Sequence, residues 1–125
     1  MRDVRSATAT GPYQQSIEVG PHRLVGDEGV DKGGQDAGPA PHELLLAALA
    51  ACTSMTMKAY AQHKGLALRH VHVTLRGRHD NGVFIIEKDT QLEGDLDETQ
   101  RARILEVGGR CPVAKTLAGE IRIFG

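Results

Sequence analysis

Residues 41–65 read PHELLLAALAACTSMTMKAYAQHKG, and this stretch decides the fold. Pro41 stands where a first helical turn accepts proline, Glu43 falls near the positive end of that turn, and Gly65 is the natural stop. The pattern predicts one helix from about Pro41 to His63. Between Leu44 and Cys52 the run LLLAALAAC is apolar on every side of such a helix, which a surface helix does not tolerate. The helix is therefore expected to be central. Only 14 residues separate Glu43 from Lys58, short of the roughly 20 that a bilayer needs, so no membrane span is expected. A small domain covers one face of such a helix with a sheet and leaves the other open. The many alanines would let a second helix approach closely there, so a homodimer with paired central helices is expected.

Working outward toward the N-terminus, Tyr13, Ile17 and Val19 share one parity, Gly20-Pro21 breaks the run, and His22–Val25 resumes it, predicting a hairpin. Residues 26–40 (GDEGVDKGGQDAGPA) carry no period and read as a long loop. Toward the C-terminus, Val71, Val73 and Leu75 alternate with His70, His72, Thr74 and Arg76; Asn81-Gly82 is a tight-turn signal, and VFIIEKDTQLEG follows. These residues predict a second hairpin with one wet face. Asp97 with Gln100 has the spacing of a capping box, opening a helix that stops at Gly108-Gly109. A short helix should start at Cys111-Pro112 and break at Gly119, and Glu120 to Phe124 reads as a last strand. There is no βαβ alternation and no internal repeat, so the class is α+β with antiparallel sheet, one domain over residues 1–125.

The bulk numbers narrow the function. Of 125 residues, 40% are apolar and 25% charged, with Lys+Arg 15 against Asp+Glu 16. That balance lacks the basic excess a phosphate backbone requires, so nucleic acid is not an expected partner. MRDVRSATATG at the N-terminus has no apolar core of a signal sequence, and a cytoplasmic protein is expected. Two cysteines in a reducing compartment form no disulfide framework; if they pair, the pairing is transient and chemical. Cys111 stands where a helix begins, and unpaired N–H groups there favour a thiolate. Cys52 lies mid-helix among Ala and Met, where burial disfavours ionisation unless a cation reaches it from another segment or subunit. The two are 59 positions apart, so no local CxxC motif exists and their partnership is a tertiary question.

The run GGQDAGPAPHELLLAALAACTSMTMKAYA, followed by GDLDETQRARILEVGGRCPVAKTL, resembles the osmotically inducible protein C (OsmC) and organic hydroperoxide resistance (Ohr) family, in particular its short PxELL-type members. The resemblance implies an intertwined homodimer with two central helices back to back and active sites at the subunit interface. It implies a peroxidase in which Cys52 attacks the peroxide oxygen of an organic hydroperoxide and Cys111 condenses with the resulting sulfenic acid. No metal, haem or flavin is implied, only an external dithiol, often of lipoyl type, that restores both thiols. The family's arginine, which contacts the attacking sulfur, finds its best candidate in Arg23. The family's glutamate lies ten positions before the cysteine, where this chain has His42, with Glu43 one step later. On an ideal helix nine positions turn by roughly 180° and ten place His42 roughly 80° from Cys52, so Glu43 does not simply inherit the role. The family's CPVH reads CPVA here, with Ala114 in the histidine's place. These departures leave open a second reading, an OsmC-like dimer serving as a redox-responsive or binding module. His70 and His72 share a strand face and with His79 or a cysteine could hold zinc, although solvent-face residues of a hairpin are the plainer reading.

Overall fold

The computed structural model describes residues 1–125. The chain falls into two compact units, Met1–Leu45 and Leu46–Gly125. In the first, strands β1 (Val4–Thr8), β2 (Gln15–Val19) and β3 (His22–Gly26) form an antiparallel sheet in the order β1-β2-β3. The register Val19↔His22 leaves Gly20-Pro21 as a two-residue turn, with Gly20 at φ +58, a conformation that favours glycine. The predicted hairpin is thus present. Strand β1 was not anticipated: VRSAT is exposed throughout, buries no apolar face, and is ordered by main-chain pairing with β2.

The loop over residues 27–40 is tied down by one buried carboxylate. Asp27 Oδ1 accepts from Glu28 N at 2.8 Å, and Oδ2 accepts from Gln35 N at 3.2 Å and Ala37 N at 3.1 Å. Those N–H groups hold its carboxyl below the usual carboxylate range, Ala37 most strongly, against the opposing effect of burial. A short 3₁₀ turn, Val30–Lys32, is closed by Gly33 at φ +89.

Helix α1 (Pro41–Lys64) has the expected bounds. Glu43 Oε1 accepts from Ala40 N at 2.8 Å and so caps its start, while Gly65 at φ +66 and the bond Leu66 N to Ala61 O at 2.8 Å end it. Its buried residues, Leu49, Thr53, Met57 and Ala61, are spaced by four and form one stripe. The rest of the helix is only partly covered or exposed: Cys52 is half-buried and Met55 is 70% exposed. The all-round burial expected from the sequence is therefore not reached within one chain. By length and composition alone α1, 24 residues with mean hydropathy 1.4 over its most apolar window, is long and apolar enough to cross a bilayer, more than the Glu43–Lys58 spacing suggests.

The second unit adds strands β4 (Ala67–Asp80) and β5 (Val83–Asp95), an antiparallel pair turning at Asn81 (φ 50) and Gly82 (φ 80), as the Asn-Gly signal requires. A register shift between Leu68 and His70 marks a bulge, and Lys58 Nζ donates to the carbonyls of Leu68 at 2.9 Å and Arg69 at 3.2 Å, fastening α1 to it. Helix α2 (Glu98–Gly108) begins with the capping box in full: Asp97 Oδ1 accepts from Gln100 N at 2.8 Å and Gln100 Oε1 from Asp97 N at 3.0 Å. Helix α3 (Pro112–Ala118) follows with Cys111 as its N-cap. Met57, Ala61, Leu68 and Ile104 form the core, with Leu66, Val71, Leu92 and Leu96 packed on it. Arg101 donates to Leu92 O and Gly94 O, joining α2 to β5. The predicted last strand is absent: residues 120–125 have no regular structure, because no strand of this chain pairs with them, and Ile123 and Phe124 are 91% and 88% exposed.

Candidate active site

Two turns of α1 and the end of α2 bring the cysteines together. Gly108, the last residue of α2, is buried against Met57 so closely that a Cβ there would lie 2.1 Å from Met57 Cε. Only a residue without a side chain allows that approach. One turn earlier on α1 is Thr53, and three residues after Gly108 is Cys111, so the same contact that seats α2 delivers the Cys111 sulfur to Thr53. Thr53 Oγ1 lies 3.7 Å from Cys111 Sγ, and both residues are 0% exposed.

Cys111 Sγ accepts from Ala114 N at 3.4 Å, the N-cap bond of α3. Burial pushes the Cys111 thiol up, yet the Ala114 N–H, the Thr53 hydroxyl, the Cys52 thiol and the Val113 N–H together outweigh it and hold the thiol below its usual value. The donors around Cys111 are thus more than the helix start alone supplies. Cys52 is half-buried, next to Thr53 on α1, and close enough to Cys111 to help lower the pKa of its thiol; both cysteines are free thiols. Arg110, beside Cys111 in sequence, is engaged by Glu106 at 3.5 Å.

The other expected site residues belong to the first unit. Arg23 faces Glu18 across the β2–β3 register, with Nη2 3.1 Å from Glu18 Oε1 and a side chain 71% exposed. Glu43 is occupied as the cap of α1, and His42 is an exposed residue of its first turn. Of the histidines considered for zinc, His72 Nε2 contacts Glu93 Oε2, His70 lies 6.4 Å from His72 between ring centres, and His79 packs on Phe84 at 4.8 Å. No three His, Cys, Asp or Glu side chains gather as a metal-binding group.

Thr53 is the residue that sequence reasoning missed. Its signal was a hydroxyl within the four-residue stripe Leu49, Thr53, Met57, Ala61, where a polar side chain must find a partner.

The sequence model of a family described as OsmC-like protein matches residues 33–123. No curated protein matches the chain. Among solved structures, an OsmC-like protein from Mycoplasma pneumoniae superposes with a TM-score of 0.79 at 20% identity, covering 95% of this chain and 88% of the other. An organic hydroperoxide resistance protein OsmC from Legionella pneumophila gives 0.72 at 16%, covering 95% and 90%. The organic hydroperoxide resistance protein OhrB of Bacillus subtilis gives 0.66 at 18%, covering 95% and 91%. At these identities the likeness establishes a shared fold.

Proposed function

Since this chain belongs to the OsmC-like protein family, some of whose structural relatives are named organic hydroperoxide resistance proteins, we propose that it is a thiol peroxidase that reduces organic hydroperoxides to alcohols. The observation that carries this reading is the pairing of a half-buried Cys52 with a Cys111 whose thiol is held below its usual value by surrounding donors. The Cys52 thiolate attacks one peroxide oxygen of ROOH, the O–O bond breaks, and RO⁻ leaves and takes a proton to become ROH. Cys52 is then a sulfenic acid. The Cys111 thiolate attacks its sulfur, hydroxide leaves and is protonated to water, and the Cys52–Cys111 disulfide closes. Two electrons have passed from the thiols to the peroxide. An external dithiol, of lipoyl type in our reading, reopens the disulfide through a mixed disulfide, and the chemistry requires no metal or other cofactor.

The assignment extends to a cytoplasmic homodimer, acting on neither nucleic acid nor membrane. Exposed Met55 on α1 and the exposed Ile121, Ile123 and Phe124 of the C-terminal segment are the apolar surface a second copy would cover. Arg23 is our candidate for tuning Cys52, with Glu43 or His42 in support. The ion pair of Arg23 with Glu18 favours the second reading, a redox-responsive or binding module without efficient turnover.

Consumption of cumene hydroperoxide with dithiothreitol or dihydrolipoamide separates the two. Cys52→Ser should abolish turnover, and Cys111→Ser should allow one stoichiometric oxidation, visible by mass spectrometry as Cys52 sulfenic acid. Equal slow activity in wild type and both variants refutes the enzyme.

A further inference from the structure

Thr53 has one hydroxyl proton and two neighbours that could take it. Its Oγ1 lies 2.8 Å from the Leu49 carbonyl, to which it donates, and 3.7 Å from Cys111 Sγ. While that donation stands, the oxygen offers the sulfur only lone pairs, so the contact is made by the Cys111 S–H donating to Thr53. Once Cys111 has lost its proton, two acceptors face one another, and the contact becomes repulsive unless the hydroxyl turns. Turning leaves no carbonyl stranded, because Leu49 O still accepts the backbone N–H of Thr53 inside α1. It also replaces a neutral hydrogen bond with one to an anion, which is the stronger of the two. A thiolate at a site with no exposed surface has little water to draw on, so its stabilisation must come from such donors.

We propose that the Thr53 hydroxyl is a two-position switch for Cys111, accepting from the thiol while bonded to Leu49 and rotating about its Cβ–Oγ1 bond to donate to the sulfur once the thiol has ionised. Thr53 is then a positioning residue. Its place in the cycle, readying Cys111 to attack the Cys52 sulfenic acid, rests on the peroxidase reading, but the switch itself does not. The groups acting on Cys111 from the two elements that meet it are Cys52 and Thr53 of α1 and the N–H groups of Val113 and Ala114 of α3; Cys52 is the one among them that titrates.

The test therefore uses no peroxide. Full-length reduced protein is converted to the Cys52–thionitrobenzoate mixed disulfide, and release of the chromophore by Cys111 is followed across pH for wild type, Thr53→Val and Thr53→Ser. Valine matches the shape of threonine without the hydroxyl, and serine keeps the hydroxyl. Loss of a hydrogen bond to a charged group should raise the midpoint of the Thr53→Val profile and slow release at neutral pH about tenfold. Thr53→Ser should return both to near wild type. A Thr53→Val profile with the wild-type midpoint, whether or not release is slower, overturns the switch, as does a Thr53→Ser protein that behaves like Thr53→Val. A wild type that releases the chromophore as expected yet consumes no cumene hydroperoxide leaves the switch standing and removes the peroxidase.

Discussion

The contact between Gly108 and Met57 makes a quantitative test of how the site is seated. In Gly108→Ala the new methyl would lie 2.1 Å from Met57 Cε and 2.8 Å from Cγ, whereas carbon atoms rest at about 3.5–4.0 Å. Met57 must shift by more than an ångström, and it is 0% exposed beside an equally buried Ile104. Overpacking of this kind costs about 1–3 kcal/mol. The helix-propensity gain of alanine over glycine offsets at most about 1 kcal/mol, and less at the last residue of α2. The expected net loss is about 1–2 kcal/mol, a fall in Tm of about 4–8 °C for a chain of this size. The cause is isolated by a double-mutant cycle followed by thermal and urea unfolding. Met57→Ala alone should cost about 2–5 kcal/mol through the cavity it opens. In that background Gly108→Ala should be neutral or stabilising, since its methyl enters the vacated space. A cost for Gly108→Ala that is the same in both backgrounds, to within about 0.5 kcal/mol, would refute the argument that Met57 is what demands a glycine.

Two further expectations concern the loop and the cap. The Asp27 carboxyl is held below its ordinary value of 3.8, so its bonds to the loop are fully present above that pH and are lost as pH falls through the lower folded value. Amide exchange of Gln35 and Ala37 should rise in that acid window; in Asp27→Asn it should be raised already at neutral pH, and an unchanged neutral-pH exchange rate in that variant would count against the carboxylate as the anchor. Asp97→Ala removes the acceptor for Gln100 N and should cost about 1 kcal/mol, read as a lower Tm; a loss below about 0.3 kcal/mol would mean that water caps α2 as well as the aspartate does.

What the sequence disclosed depended on whether the deciding interaction was local. Pro41 and Gly65 bound α1, Asn81-Gly82 turns β4 into β5, and Asp97 with Gln100 opens α2, each within a span of a few residues that a pattern can report. Strand β1 escaped because nothing local distinguishes VRSAT; it is a strand because β2 lies beside it. The C-terminal residues failed in the opposite direction. Their alternation of Ile121 and Ile123 with Glu120 and Arg122 is strand-like, but a strand needs a partner and this chain offers none.

The site divides along the same line. Cys52 and Cys111 were named by a resemblance that the family match bears out, and Cys111 by its place at a helix start as well. Thr53 was not, because its meaning lies 58 positions away, in a sulfur that α2 brings to it. Had the helix carried valine there, the stripe through Leu49, Met57 and Ala61 would be uniformly apolar, and every local rule would favour it. A hydroxyl kept in a fully buried position carries a desolvation cost that only its bonds to Leu49 O and the Cys111 sulfur offset. The bond to Leu49 alone would serve any mid-helix threonine. It is the second neighbour, a thiol that other donors already push toward ionisation, that turns a tolerated polar residue into one with chemical work to do.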